Sequence, residues 1–163
     1  MQNQLVQLLA IAIMTTNVAN AQNSTAQHQE KNTFINPKAL FNPTYNGFSH
    51  IGSVSAGAEL VFISGQWASD ETGKLTSTDF EQQVRKTIQN LKIALQAAGV
   101  STRHIIKQTI FIADFTPEKK AILGKVAAAE WGAEVFHAST IVPVPVLATT
   151  PGCLIEVESI ATK

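Results

Sequence analysis

Residues 78 to 99 commit this chain to a layered fold. Phe80, Val84, Ile88, Leu91, Leu95 and Ala98 recur at spacings of three and four, which puts them on one face of a helix. The run opens on Thr78-Asp79-Phe80-Glu81, where Thr78 and Glu81 have the spacing of a capping box. It closes on Gly99, placed as the left-handed terminator. A helix that is apolar on one side only must bury that side against a second layer.

The flanking segments supply the layer. SHIGSVSAG (49–57) reads as a short strand, and ELVFISGQ (59–66) as a strand rich in β-branched and aromatic residues. SDETGKL (69–75) is a loop around Gly73. HIIKQTIFIAD (104–114) is a long strand, apolar on both faces and so covered on both. Thr116-Pro117 gives an N-cap with proline at the first position of a second helix, which runs to about Trp131. Strands at 138–146 and 153–161 complete the order β-β-α-β-α-β-β. This predicts an α+β fold, a mixed β-sheet with two helices packed on one face. No helix remains for the other face, so the pattern predicts burial against partner subunits in a closed oligomer.

The chain's 163 residues fit one domain, and a hydrophobic share of 45% is ample for its core. Lysine plus arginine equals aspartate plus glutamate at 12 each, which disfavours a nucleic-acid partner because the basic footprint that holds phosphates is missing. Cys153 is the only cysteine, so no intrachain disulfide forms. The four histidines, at 28, 50, 104 and 137, show no metal-ligand spacing, and neither a metal nor a cofactor is expected.

The N-terminus predicts export. LVQLLAIAIM (5–14) is an apolar run too short to span a bilayer, and Ala19-Asn20-Ala21 fits a cleavage site before Gln22. The residues before the run contain no lysine or arginine, unlike the usual signal peptide. Residues 1–21 are thus expected to be a signal peptide, 22–36 a flexible tether and 37–163 the folded domain. The mature protein is expected to be periplasmic or secreted, with no membrane attachment.

The last strand, CLIEVESIA (153–161), alternates: Ile155, Val157 and Ala161 point one way, and Leu154, Glu156, Glu158 and Ile160 the other. The more apolar set meets the helices, which leaves Glu156 and Glu158 on the face assigned to subunit contact. A carboxylate at such a partly dry place has a raised pKa and suits general acid or base work; a solvated or salt-bridged face is the plainer alternative. In FHASTIVPVPV (136–146), Pro143 and Pro145 remove two donors from one lateral side, so the strand becomes a sheet edge there. Ser139 and Thr140 lie just before that break, as cleft hydroxyls or as ordinary sheet residues. In Ser64-Gly65-Gln66 the glycine permits close backbone approach. His50 alone reads more readily as structural than as catalytic.

As an ordered set, FSHIGSVSAGAELVFISGQ, QVRKTIQNLKIALQAAGV, IIKQTIFIAD and FHASTIVPV…CLIEVESIA resemble the Rid (RidA/YjgF-like) family from about Phe48 to Ala161. The resemblance implies a chorismate-mutase-like fold and a homotrimer that binds small molecules in clefts between subunits. It implies hydrolysis of reactive enamines and imines to 2-keto acids and ammonia. Glu156 matches the acid that positions the attacking water, and Ser64 and Gly65 match cleft residues. The sequence departs from the pattern where an arginine clamps the substrate carboxylate: Ser139 stands there, followed by Thr140. Phe48 stands where active members carry a tyrosine, and His50 follows it two residues on. A short neutral serine cannot replace a bidentate guanidinium, so ordinary 2-iminoacid deamination is not expected, and His50 or His137 is the candidate for a weaker cation. Two main readings follow: a hydrolase of small C–N compounds with a non-standard substrate, or a non-catalytic trimeric binder of small metabolites; a third that the resemblance brings, RNA cleavage, is disfavoured by the neutral charge balance.

Overall fold

The computed structural model describes residues 32–131 and 136–163. The expected signal peptide and the tether up to residue 31 lie outside the described residues. Besides two short 3-10 helices (Thr44–Asn46 and Thr102–His104), the described residues form strands β1 (Thr33–Ile35), β2 (Ile51–Ser53) and β3 (Leu60–Trp67), helix α1 (Phe80–Ala97), strand β4 (Ile105–Ala113), helix α2 (Pro117–Trp131), and strands β5 (Ala138–Val144) and β6 (Ile155–Thr162). Four strands form one sheet in the order β3-β6-β4-β5, antiparallel except for the parallel pair β4–β5. β1 and β2 form a separate antiparallel pair.

β1 lies before Pro37. It falls in the last residues of the expected tether and pairs Phe34 with Gly52. The Asn32 side chain fastens its start, donating to the His104 carbonyl at 2.9 Å and accepting from Thr162 Oγ1 at 2.9 Å. β2 in turn approaches β4 so closely that a Cβ on Gly52 would lie 2.6 Å from the Ile106 carbonyl oxygen. Only glycine fits there.

α1 is capped by Asp79 rather than Thr78: the Asp79 side chain accepts from the Gln82 N–H at 2.9 Å. A carboxylate caps a helix N-terminus with its charge as well as its lone pairs, so Asp79 takes the position from its neighbour. Glu81 is thereby released from the expected box and pairs with Arg85 at 2.6 Å. Gly99 closes the helix at φ 78°, as its sequence position predicts. α2 starts at Pro117, with Thr116 Oγ1 accepting from the Lys119 N–H at 3.2 Å.

The core lies between this helical layer and one sheet face. Val84, Ile88, Leu91 and Leu95 of α1 and Leu123 and Val126 of α2 pack with Ile110 and Ile112 of β4 and with Ile155, Val157 and Ala161 of β6. The expected division of β6 therefore holds. The opposite sheet face is open in the single chain, where Phe62 is 71% and Leu60 43% exposed. β5 is the edge of the sheet. The Asp114 N–H donates to the Val144 carbonyl at 3.3 Å, so the polar groups of Val144 face β4. The nitrogens of Pro143 and Pro145 then face outward, where no donor is needed.

Candidate functional site

The site residues divide between two places on the sheet. The first is built by an irregularity between β3 and β6: Ile63 pairs with Ser159, but Gln66 pairs with Val157. β3 thus holds one residue more than β6 over this span, a bulge that sets Ser64 and Gly65 opposite Glu158. The gap left by the glycine is filled by Glu156, and a Cβ at position 65 would overlap the Glu156 carboxylate. Glu156 is flanked in register by Trp67 on one side and Phe111 on the other. It is half-buried, and its carboxylate, unlike its backbone, has no hydrogen-bond partner among the described residues. Burial, reinforced by the nearby charge of Glu158, pushes its carboxyl above the ordinary value. Such a group holds a proton more readily than a surface glutamate and can orient or activate a water.

The second place is the open face around β4 and β5. Thr140 pairs in register with Thr109, which pairs with Glu158 across β4 and β6. Two hollows adjoin this row. One, of about 270 Å³, is lined by Phe62, Ser64, Lys107, Thr109, Glu158 and Ile160 among others. The other, of about 480 Å³, is lined by His50, Gly52, Lys107, Ser139, Thr140 and Ile160 among others. Glu156 lines neither. Ser139 bonds toward the opposite side of the sheet: its Oγ accepts from Nε2 of the buried Gln108 at 2.7 Å.

His50 is held on three sides. Its ring Nε2 bonds to the Phe41 carbonyl at 2.9 Å, its backbone N–H donates to Asn36 Oδ1 at 2.9 Å, and it meets Phe48 edge-on with centroids 5.8 Å apart. Phe48 packs edge-on against Phe41 as well, at 6.1 Å. The chain therefore brings together Gly65 with Glu156, Ser64 with Glu158, and His50, Ser139 and Thr140 with one another. It does not join Glu156 to Ser139 within one copy.

His137 is not the replacement cation. It is 1% exposed, and burial drives its pKa down to about 4, with the Thr102 carbonyl only partly opposing. The ring is neutral at pH 7, and its Nε2–H donates to Thr102 at 2.9 Å. The charged residue that sequence reading passed over is Lys107, which lines both hollows. Its signal was the one charged residue of β4.

Two helices on one face of a mixed sheet, with acids and hydroxyls on the other, define an α+β protein of the chorismate-mutase-like class. Residues 38–163 match the family described as Endoribonuclease L-PSP, and the chain belongs to this family, the RidA/YjgF-like proteins. A RutC family protein of Pyrococcus horikoshii is 34% identical over 114 residues, 68% of this chain and 84% of that protein. A 2-iminobutanoate/2-iminopropanoate deaminase of Salmonella typhimurium is 32% identical over 74 residues, 44% of this chain and 58% of that protein. Among solved structures, a Rid-family protein of Yersinia pestis superposes with a TM-score of 0.74 at 27% identity, covering 82% of this chain and 99% of that one.

Proposed function

We propose that this protein is a hydrolytic deaminase of small reactive imines, enamines or related C–N compounds. It acts as a homotrimer whose clefts lie between subunits, in the periplasm or outside the cell after loss of residues 1–21. Glu156 orients the attacking water, and Ser64, Gly65, Thr140 and the Phe48–His50 pair shape the cleft. The observation that carries this reading is the Glu156 carboxylate, lodged in the gap over Gly65 with its pKa raised and no hydrogen-bond partner among the described residues. The deaminase relative supports the reaction class. The balance of 12 basic and 12 acidic residues supports a small metabolite over RNA.

The test is turnover of 2-imino acids generated in situ by purified protein. A positioned general base contributes roughly a hundredfold or more to rate, so Glu156→Gln should lose activity on that scale. Unchanged turnover in the variant removes Glu156 from the mechanism. Ser139, a short neutral residue where the family carries its arginine clamp, favours a second reading, a metabolite binder without catalysis. Calorimetric binding in the complete absence of turnover would establish that reading instead.

A further inference from the structure

Among the described residues, Lys107 is the only lysine or arginine lining either hollow. Its ammonium has three donors. One reaches the Gln108 carbonyl at 2.7 Å and a second reaches Thr140 Oγ1 at 3.1 Å. No carboxylate among the described residues comes within ion-pair distance of it. The third N–H is therefore unspent. Thr140 accepts from Lys107 with one lone pair, which leaves its own O–H free as a further donor beside the charge. Both side chains stand on the open sheet face, opposite the Gln108–Ser139 contact. The ammonium is held in place by a backbone carbonyl, so little side-chain freedom remains to be lost on binding.

We infer that Lys107 and Thr140 together form an anion clamp for the carboxylate of a small 2-oxo or 2-imino acid. One cation and one adjacent hydroxyl donor match the two oxygens of a carboxylate. Glu158 acts on Lys107 through its charge and sits on the row beside it, which disfavours a dianion such as a phosphate monoester. Leu60 and Ile160, which line the same hollow as Thr140, supply apolar wall for a short aliphatic chain. Partial burial already lowers the Lys107 pKa, with Glu158 opposing, so an arriving carboxylate meets an ammonium that lacks its full solvation. The clamp goes beyond the hydrolase reading, because it holds a carboxylate whether or not that molecule is turned over.

The experiment is calorimetric titration of the purified full chain with 2-oxobutanoate and with its methyl ester. Wild type should bind the acid, and the ester at least tenfold more weakly. Lys107→Met should weaken acid binding by tenfold or more and leave ester binding unchanged. Lys107→Arg should restore most of the affinity, and Thr140→Val should cost several-fold. Circular dichroism checks each fold; if Lys107→Met does not fold, the ester comparison and Thr140→Val decide the matter. The inference is overturned if wild type binds no 2-oxobutanoate at millimolar concentration, if acid and ester bind alike, or if neither Lys107→Met nor Thr140→Val weakens the acid. Imino-acid turnover measured alongside separates the two claims. Turnover that survives Lys107→Met undiminished sinks the clamp alone, and carboxylate binding without turnover sinks the hydrolase alone.

Discussion

Acidification from pH 7 to pH 5 should destabilise the fold through His137. The ring is buried against Trp131, with centroids 5.4 Å apart, and against Phe34 at 6.4 Å. Its Nδ1 has no partner among the described residues. Its folded pKa of about 4 lies below the ordinary 6.5. A base depressed in this way contributes stability above its unfolded pKa and loses it as pH falls through the folded one. With both states fully protonated the loss is about 3 kcal/mol, at about 1.4 kcal/mol per pH unit of separation. Little is lost at pH 7, and about 2 kcal/mol has gone by pH 5. The assay is urea denaturation of wild type and His137→Gln at fixed protein concentration, at both pH values. The glutamine amide keeps a donor for Thr102 but does not titrate. Glu156 titrates with the opposite sign, its raised pKa favouring the folded state as pH falls, and comparing the two proteins cancels it. The variant should be less stable at pH 7, yet lose about 2 kcal/mol less than wild type on acidification. Parallel pH profiles would refute the assignment of a neutral buried imidazole.

Two further substitutions probe the site and its support. Gly65→Ala should displace the Glu156 side chain, because the three atoms nearest the new methyl group all belong to that flexible chain; imino-acid turnover should fall as far as in Glu156→Gln while the melting temperature changes little, and an alanine variant with full activity would dissociate the bulge from the chemistry. Gln83→Leu should cost about 3 kcal/mol in urea denaturation, since unpaired buried backbone groups cost about 1–3 kcal/mol each. Gln83 is fully buried, donates to the Ser77 and Gly152 carbonyls at 2.9 and 2.8 Å, and accepts from the Leu154 N–H at 2.7 Å; a loss under 1 kcal/mol would mean that water takes over these groups.

Periodicity carried most of the fold. The α1 face, the long β4 strand and the alternation of β6 each repeat over many residues, so noise at one position does not hide the pattern. β1 was not legible for the converse reason: Thr33 to Ile35 is too short to show a period, and its partner β2 begins 16 residues further on. The helix cap slipped by one residue because Thr78 and Asp79 are both good caps, and only the backbone at Asp79, extended at ψ 130°, decides between them.

The site was legible in its chemistry but not in its grouping. Ser139, Thr140 and Glu156 were named from residue type and place, yet which of them share a hollow depends on register. The parallel pairing of β4 with β5 sets Gln108 beside Ser139 and brings Lys107 to Thr140, contacts 31 and 33 residues apart in the chain. No local pattern encodes a parallel register, because no tight turn joins the two strands. The bulge at Ser64-Gly65 goes further. Alternation alone assigns each β3 side chain a face, and one inserted residue reverses that assignment for everything beyond it. The reversal, together with a residue that has no side chain, opens the gap into which Glu156 fits. The acid's position is thus fixed by a defect in the sheet and not by the strand that carries it, which is why Gly65 governs the site as strongly as the carboxylate does.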